Sequence, residues 1–281
     1  MKLSIIIPVF NEVTTVAEIV RRVAEVRLPA ELTAKEIIVI NDCSTDGTTE
    51  LLGALELRYR DLHIIHHKKN SGKGAALRTG ITHASGDIIL FQDADLEYDP
   101  IDYTQMLTPI LRGRADVVYG SRFLTTSERR VLYFWHWVGN VTLTLLCNAM
   151  SDVNLTDMET CYKAFRREVL QGFRIEQDRF GCEPEITIKV AKNRWRIYEV
   201  GISYSGRTYE EGKKIGLKDA FKAVWCIVKY GFLVPRRKGP PAVAVVVPGS
   251  MDYRAPETHI PTAPYTGDQN AFVAPPSQRE Q

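Results

Sequence analysis

Residues 87–100, DIILFQDADLEYDP, decide how the rest of the chain is read. Ile88, Ile89, Leu90 and Phe91 form a short apolar run, bounded by Gly86-Asp87 before and acidic residues after. That is the pattern of a buried strand opening at its C-terminal end into a loop. Asp93, Asp95 and Glu97 follow at alternate positions. In extended backbone, side chains two apart project to one side, so the spacing predicts that all three converge on one cation. Hard oxygen ligands of this kind suit Mg²⁺ or Mn²⁺ bridging to substrate phosphates. A solvated acidic loop has the same composition; the position at a strand end in an α/β pattern favours a ligand site.

Upstream, residues 3–9 (LSIIIPV) are nearly continuously apolar, as expected of a central parallel strand, and Phe10-Asn11-Glu12 form the loop after it. Val16, Ile19, Val20, Val23 and Val26 repeat at helical spacing. A second strand, 36–40, runs into the turn-rich loop 41–47; a helix over 48–60 and a short strand over 63–66 follow. The loop Lys68–Gly74 opens a helix over 75–83. Strand and helix alternate four times, which predicts a mostly parallel, doubly wound sheet with helices on both faces. Such sheets bind ligands at the carboxyl ends of their strands, where four polar loops gather. Lys73, between two glycines at a helix start, is either a surface lysine or an anion contact. Neither the P-loop nor the dinucleotide fingerprint is present, which counts against ATPase and dehydrogenase functions.

The segments SIIIPVFNE (4–12), VINDCSTDGT (39–48), NSGKGAAL (70–77), GDIILFQDADLEYDP (86–100) and GSRF (120–123) together resemble the GT-A glycosyltransferases of family 2. The likeness is strongest to the dolichol- and polyprenyl-phosphate hexose synthases, and it spans roughly residues 1–230. It implies a Rossmann-like GT-A fold and a nucleoside held by Pro8, Phe10, Glu12, Ile40 and Asp42. It implies a metal on the diphosphate held by Asp93, Asp95 and Glu97, with Ala94 lining the same donor site. Asn41 stands where the family often has a second Asp, and Glu97 where the mannosyl branch often has Gln; both blur the choice of sugar nucleotide.

Downstream, a strand over 115–119 ends in Gly120-Ser121-Arg122. Arg122 is a surface arginine or, at a strand end, a phosphate contact that its planar fork suits. Residues 131–150 (VLYFWHWVGNVTLTLLCNAM) hold no Asp, Glu, Lys or Arg. Gly, His, Asn and Thr interrupt the run and no second span follows, so a transmembrane helix is not expected. Arg129 and Arg130 before Tyr133, Phe134, Trp135 and Trp137 fit an interfacial helix, and a helix packed on the sheet has the same pattern. The resemblance places Asp157 on the acceptor side, to orient or deprotonate the acceptor; capping the next element is the alternative. Glu183 and Glu185, at the start of a helix over 186–193, are secondary candidates, and 196–204 reads as an edge strand. Arg207 and Lys213 resemble the family's mobile loop closing over phosphate. Residues 214–233 form an amphipathic helix with Leu217, Phe221, Val224, Trp225 and Val228 beside Lys218, Lys222 and Lys229, suited to a membrane surface or to packing.

Nine of the fourteen prolines fall in residues 235–281, so a disordered tail is expected after a GT-A domain over 1–234. Within that domain, 1–123 is the nucleotide-sugar half and 124–234 the acceptor and membrane-interface half. Five scattered cysteines with no C-x-x-C pair, and an N-terminus entering a strand directly, predict a reduced cytoplasmic protein, peripheral at the membrane's cytoplasmic face. The net charge of +2 does not decide for an anionic partner, and no nucleic-acid partner is expected. The reading is inverting hexosyl transfer from a nucleoside-diphosphate sugar to a polyprenyl phosphate, dependent on Mg²⁺ or Mn²⁺. A phosphate acceptor needs cationic guidance from Arg122, Arg129, Arg130, Arg207 and Lys213. A sugar-hydroxyl acceptor would instead make Asp157 an indispensable base. A nucleotide-sugar-binding module without turnover is the reading from another class, and Asp93, Asp95 and Asp157 argue against it.

Overall fold

The apolar run Leu3–Val9 becomes the middle of the molecule because its alternate side chains supply two different cores. In the computed structural model the described residues are 1–124, 130, 131, 133–207 and 217–239. Among them β1 (Lys2–Val9) sends Leu3, Ile5, Ile7 and Val9 to one face and Ile6 to the other. It pairs in parallel with β2 (Ala34–Asn41) and β4 (Ile88–Phe91), and β2 pairs in parallel with β3 (Leu62–His66). The first face is covered by α1 (Val16–Glu25), α2 (Thr48–Arg58) and α4 (Tyr103–Leu111), through Val16, Ile19, Leu52 and Met106. The second is covered by α3 (Lys73–His83) and α7 (Cys182–Lys192), through Ala76, Leu77, Ile186 and Val190.

The sheet order is β3-β2-β1-β4-β6-β5-β7. Here β5 is Val117–Ser121, β6 Lys163–Arg166 and β7 Ile197–Gly201. Strand β6 enters antiparallel between β4 and β5, and β7 closes the edge parallel to β5. The mostly parallel α/β fold with helices on both faces is therefore present, with one inverted strand, β6, inside the sheet. Helix α6 (Arg167–Gln171) follows β6 directly. A third core joins α5 (Phe134–Ser151), α7 and α8 (Leu217–Leu233) through Cys147, Met158, Ile188, Cys226, Ile227 and Tyr230. Helix α7 begins at Cys182, four residues earlier than the sequence pattern suggests, and this draws Glu183 and Glu185 into its buried first turn. All five cysteines are free thiols. No described helix is long and apolar enough to cross a membrane. Arg236 and Arg237 are tied to the body through Asp152 and the Lys192 carbonyl. Residues 240–281 lie outside the described residues.

Candidate active site

The polar loops at the carboxyl ends of β1 to β4 are knitted to one another before any ligand is considered. The Asp42 carboxylate accepts the backbone N–H groups of Ser71 (2.9 Å) and Gly72 (2.7 Å) and meets His67 Nδ1 at 2.7 Å. Asn11 Oδ1 accepts Thr45 N, and Ser44 Oγ accepts Asn11 N. Of the residues expected at the nucleoside, Phe10 is part-exposed and Glu12 is buried, its Oε2 3.5 Å from Arg207 Nη1. Pro8 is half-buried in β1. Ile40 is fully buried in the second core, and the Asp42 side chain is occupied by the backbone N–H groups of Ser71 and Gly72.

Glycine chemistry places Lys73. Gly72 has φ +96°, and a Cβ there would lie 2.5 Å from the Asp178 carbonyl; one on Gly74 would collide with the Gln177 carbonyl. Ala75 N donates to the Asp178 carbonyl (3.1 Å), so the start of α3 is clamped against the segment before α7. Lys73 Nζ then donates to Asp93 Oδ1 at 2.7 Å. Burial opposes its charge, but Asp93, Cys161 and Glu183 outweigh it and hold the ammonium well above the ordinary lysine range.

The acidic triplet does not converge as alternation predicts. Residues 93–98 turn instead of extending, with Leu96 at φ 63° and Glu97 N donating to Asp95 Oδ1 (3.2 Å). The turn is closed from beneath by Gln92, which donates to the Asp93 and Tyr98 carbonyls and accepts the Tyr103 hydroxyl. As a result Asp93 is held apart from the other two, which share Arg207. Asp93 pairs with Lys73, and Asp95 Oδ2 with Arg207 Nη2 (2.8 Å). Glu97 accepts the Tyr204 hydroxyl and Arg207 N, both at 2.8 Å. Among the described residues no three His, Cys, Asp or Glu side chains group closely enough to hold a metal. Asp93 and Asp95 alone fit a divalent cation: their oxygens are hard donors, and the acids are crowded enough to need extra positive charge. Burial, then Asp93 and Glu97, push the Asp95 carboxyl up to about 7 against the pull of Arg207. Ala94 is buried between the two.

This shift has a stability consequence with a definite sign. Between an unfolded value near 4 and the folded value, the folded chain holds a proton that the unfolded chain has lost, so stability falls as pH rises through that window. The metal-free protein is expected to be less stable at pH 8 than at pH 5. Asp95→Asn should flatten that dependence by about 1–2 kcal/mol. Urea unfolding at the two pH values, wild type against variant, measures it.

On the side where an acceptor is expected, Arg122 and Asp157 find each other. Asp157 is fully buried and accepts Arg122 Nε (2.7 Å), Nη2 (2.7 Å) and backbone N (3.0 Å). The Arg122 guanidinium also stacks 5.2 Å over the Tyr204 ring. Glu199, on β7, accepts the N–H groups of Thr156 and Asp157 and fixes that loop, a role no local motif announces. Glu159 is near by; burial and Glu183 push its carboxyl up to about 7. Glu185 is spent on Lys189 and on the N–H groups of Glu176 and Gln177. Arg130 N donates to the Tyr204 carbonyl (3.1 Å), tying it to the strand behind the site. Lys213 and Arg129 lie outside the described residues. Beside the site, α5 and α8 pack on each other and leave Trp135 77% and Trp225 65% exposed, with Phe134, Phe221 and Phe232 also outward.

A seven-stranded sheet of this order, with an acidic turn after β4, is the architecture of a GT-A glycosyltransferase. The same fold is seen in glucosyl-3-phosphoglycerate synthase from Mycobacterium tuberculosis, solved in complex with Mn²⁺, uridine-diphosphate and phosphoglyceric acid. That likeness has a TM-score of 0.64 at 19% identity, over 85% of this chain and 79% of the other. The chain belongs to glycosyl transferase family 2, whose family model matches residues 4–173. Its relatives include a dodecaprenyl-phosphate galacturonate synthase of Rhizobium johnstonii, 27% identical over 246 residues (85% of this chain, 69% of the relative). An undecaprenyl-phosphate mannosyltransferase of Micrococcus luteus is 26% identical (77% and 88%). A dolichol-phosphate mannosyltransferase of Pyrococcus furiosus is 27% identical (77% and 60%).

Proposed function

We propose that this glycosyltransferase moves a hexose, with inversion, from a nucleoside-diphosphate sugar of the GDP-mannose or UDP-glucose type to a polyprenyl phosphate. The observation that carries the acceptor is the buried Arg122–Asp157 pair. A carboxylate that accepts three N–H groups and has no exposed surface is poorly placed to remove a proton from a sugar hydroxyl. A phosphate acceptor is already anionic near neutral pH and needs no such base. Three relatives named for polyprenyl- or dolichol-phosphate sugar transfer support the same choice.

Asp93 and Asp95 are the residues to hold Mg²⁺ or Mn²⁺, with Glu97 retained as the anchor of Tyr204 and Arg207. When bound, such an ion supplies charge neutralisation for the departing diphosphate. Phe10 and Glu12 line the nucleoside side, and Arg207, beside Glu12 and Asp95, is a diphosphate contact. A sugar-hydroxyl acceptor is the second reading, and Glu159 is what favours it: its Oε1 is buried without a hydrogen-bond partner, and its carboxyl titrates near neutrality. Incubation with membranes, Mn²⁺ and labelled GDP-mannose or UDP-glucose tests the proposal. Label extracted into organic solvent supports the lipid acceptor. Label in a water-soluble glycan, lost in Glu159→Gln, supports the hydroxyl.

The exposed aromatic faces of α5 and α8 are proposed to rest on the cytoplasmic face of the membrane. Trp135→Asp combined with Trp225→Asp is expected to weaken co-sedimentation with anionic vesicles on the order of tenfold. Turnover of a short-chain, detergent-soluble acceptor should be spared. Unchanged sedimentation would remove these helices from the membrane surface.

A further inference from the structure

Behind Asp93 lies a buried row of alternating charge that the transfer reaction does not itself require. Lys163 of β6 is fully buried, 4.9 Å over the Tyr119 ring, and donates to the Thr160 and Met158 carbonyls and to Glu183 Oε2. One oxygen of Glu183 is thereby fixed. The other, Oε1, is buried and accepts no hydrogen bond. It faces Lys73 Nζ at 3.6 Å, while Lys73 donates to Asp93 Oδ1 at 2.7 Å. A buried carboxylate oxygen left without a donor is unfavourable and is rarely kept without use. Here it stands on the far side of an ammonium already committed to a proposed metal ligand.

We infer that Glu183 is a landing carboxylate for Lys73: the ammonium holds Asp93 in the metal-free protein and passes to Glu183 Oε1 when Asp93 turns to the divalent ion. This rests on the reading of Asp93 as a metal ligand. An ammonium left 2.7 Å from Asp93 would compete with the cation for the same oxygen and repel it. A shift of about 1 Å toward Glu183 makes a full hydrogen bond there and satisfies the orphaned oxygen. The lysine stays buried, charged and paired in both positions. Lys163 keeps Glu183 from swinging away, so the landing site is preformed by β6 and α7. Glu183 and Lys163 are positioning residues in this device.

Binding of Mn²⁺ alone to the full chain, read from the electron paramagnetic resonance signal of the free ion, tests it. Lys73→Met is expected to tighten Mn²⁺ binding, because a competitor is gone. Glu183→Gln should weaken it on the order of tenfold, the consequence of a lysine that cannot leave. In the Lys73→Met background, Glu183→Gln should change the affinity less than twofold. A loss of equal size in both backgrounds would mean that Glu183 only supports the fold, and would overturn the inference. So would weaker binding in Lys73→Met. Wild-type protein that binds no Mn²⁺ would overturn the metal reading and the inference with it, whereas tight wild-type binding untouched by Glu183→Gln overturns the hand-over alone. Should Glu183→Gln fail to fold, Glu183→Asp keeps a charge for Lys163 but withdraws the oxygen from Lys73, and the same pattern is expected.

Discussion

Asp95→Asn is expected to lower sugar transfer by about 10³-fold while leaving the protein folded. Asp95 lies in the turn that Gln92 closes, directly beyond β4, and its carboxylate faces Arg207 and Asp93. The charge it contributes is wanted only when cation and diphosphate are present; in their absence it is crowded by burial and by its acidic neighbours. Loss of turnover with no loss of melting temperature at pH 8 is therefore the signature of a residue whose charge serves function at the expense of stability. Glu97→Gln should be milder, because Glu97 acts by holding Tyr204 and Arg207: the amide oxygen can still accept Arg207 N–H, and the amide NH₂ can donate to the Tyr204 hydroxyl instead. If the two substitutions cost the same activity, Glu97 belongs with the metal ligands after all. Single-turnover assays of both variants against melting curves separate these cases.

The second large effect is on stability. Arg122→Ala leaves Asp157 as a fully buried carboxylate without its main cation, and removing one partner of a buried pair costs about 3–5 kcal/mol. At this chain length that corresponds to a fall in melting temperature of roughly 10 °C. Arg122→Ala combined with Asp157→Ala is expected to recover most of the loss, since no charge is then left alone. Activity should not recover with it, because the acceptor phosphate would still lack the guanidinium. Asp157→Asn and Glu159→Gln together separate the acceptor classes: whichever residue is a base would lose nearly all turnover, whereas an Asp157 that only holds Arg122 would lose far less. Chemical denaturation of wild type, Arg122→Ala, Asp157→Ala and the double variant measures the cycle.

These two sites also mark how far local sequence carries. The apolar runs that became β1, β2 and β4 were legible because a buried parallel strand has a simple local signature, and Lys73 was singled out by the glycines that flank it. The inverted strand β6 was not legible: KAFR is short, and its antiparallel insertion depends on β4 and β5, which flank it in space and not in sequence. Alternation failed at Asp93–Glu97 because it assumes extended backbone, and the turn there is imposed by Gln92, a residue that reads as part of the strand's tail. Arg122 reads as a phosphate contact, but nothing local announces that Asp157, 35 residues away, holds it. Glu199 and Lys163 carry no local signal at all, and Glu183 reads only as an acid at a helix start. Each is a charge that found its place because a partner far along the chain arrived beside it.

The most direct test of the central claim compares two acceptors that differ only in the group attacked. Purified protein with Mn²⁺ and the preferred nucleotide sugar would be given a short-chain polyprenyl phosphate or the corresponding free polyprenol. Transfer to the phosphate with none to the alcohol is the predicted result, and Asp157→Asn should retain a substantial part of it. Transfer to the alcohol, abolished by Asp157→Asn, would contradict the account and make Asp157 a base despite its pairing with Arg122.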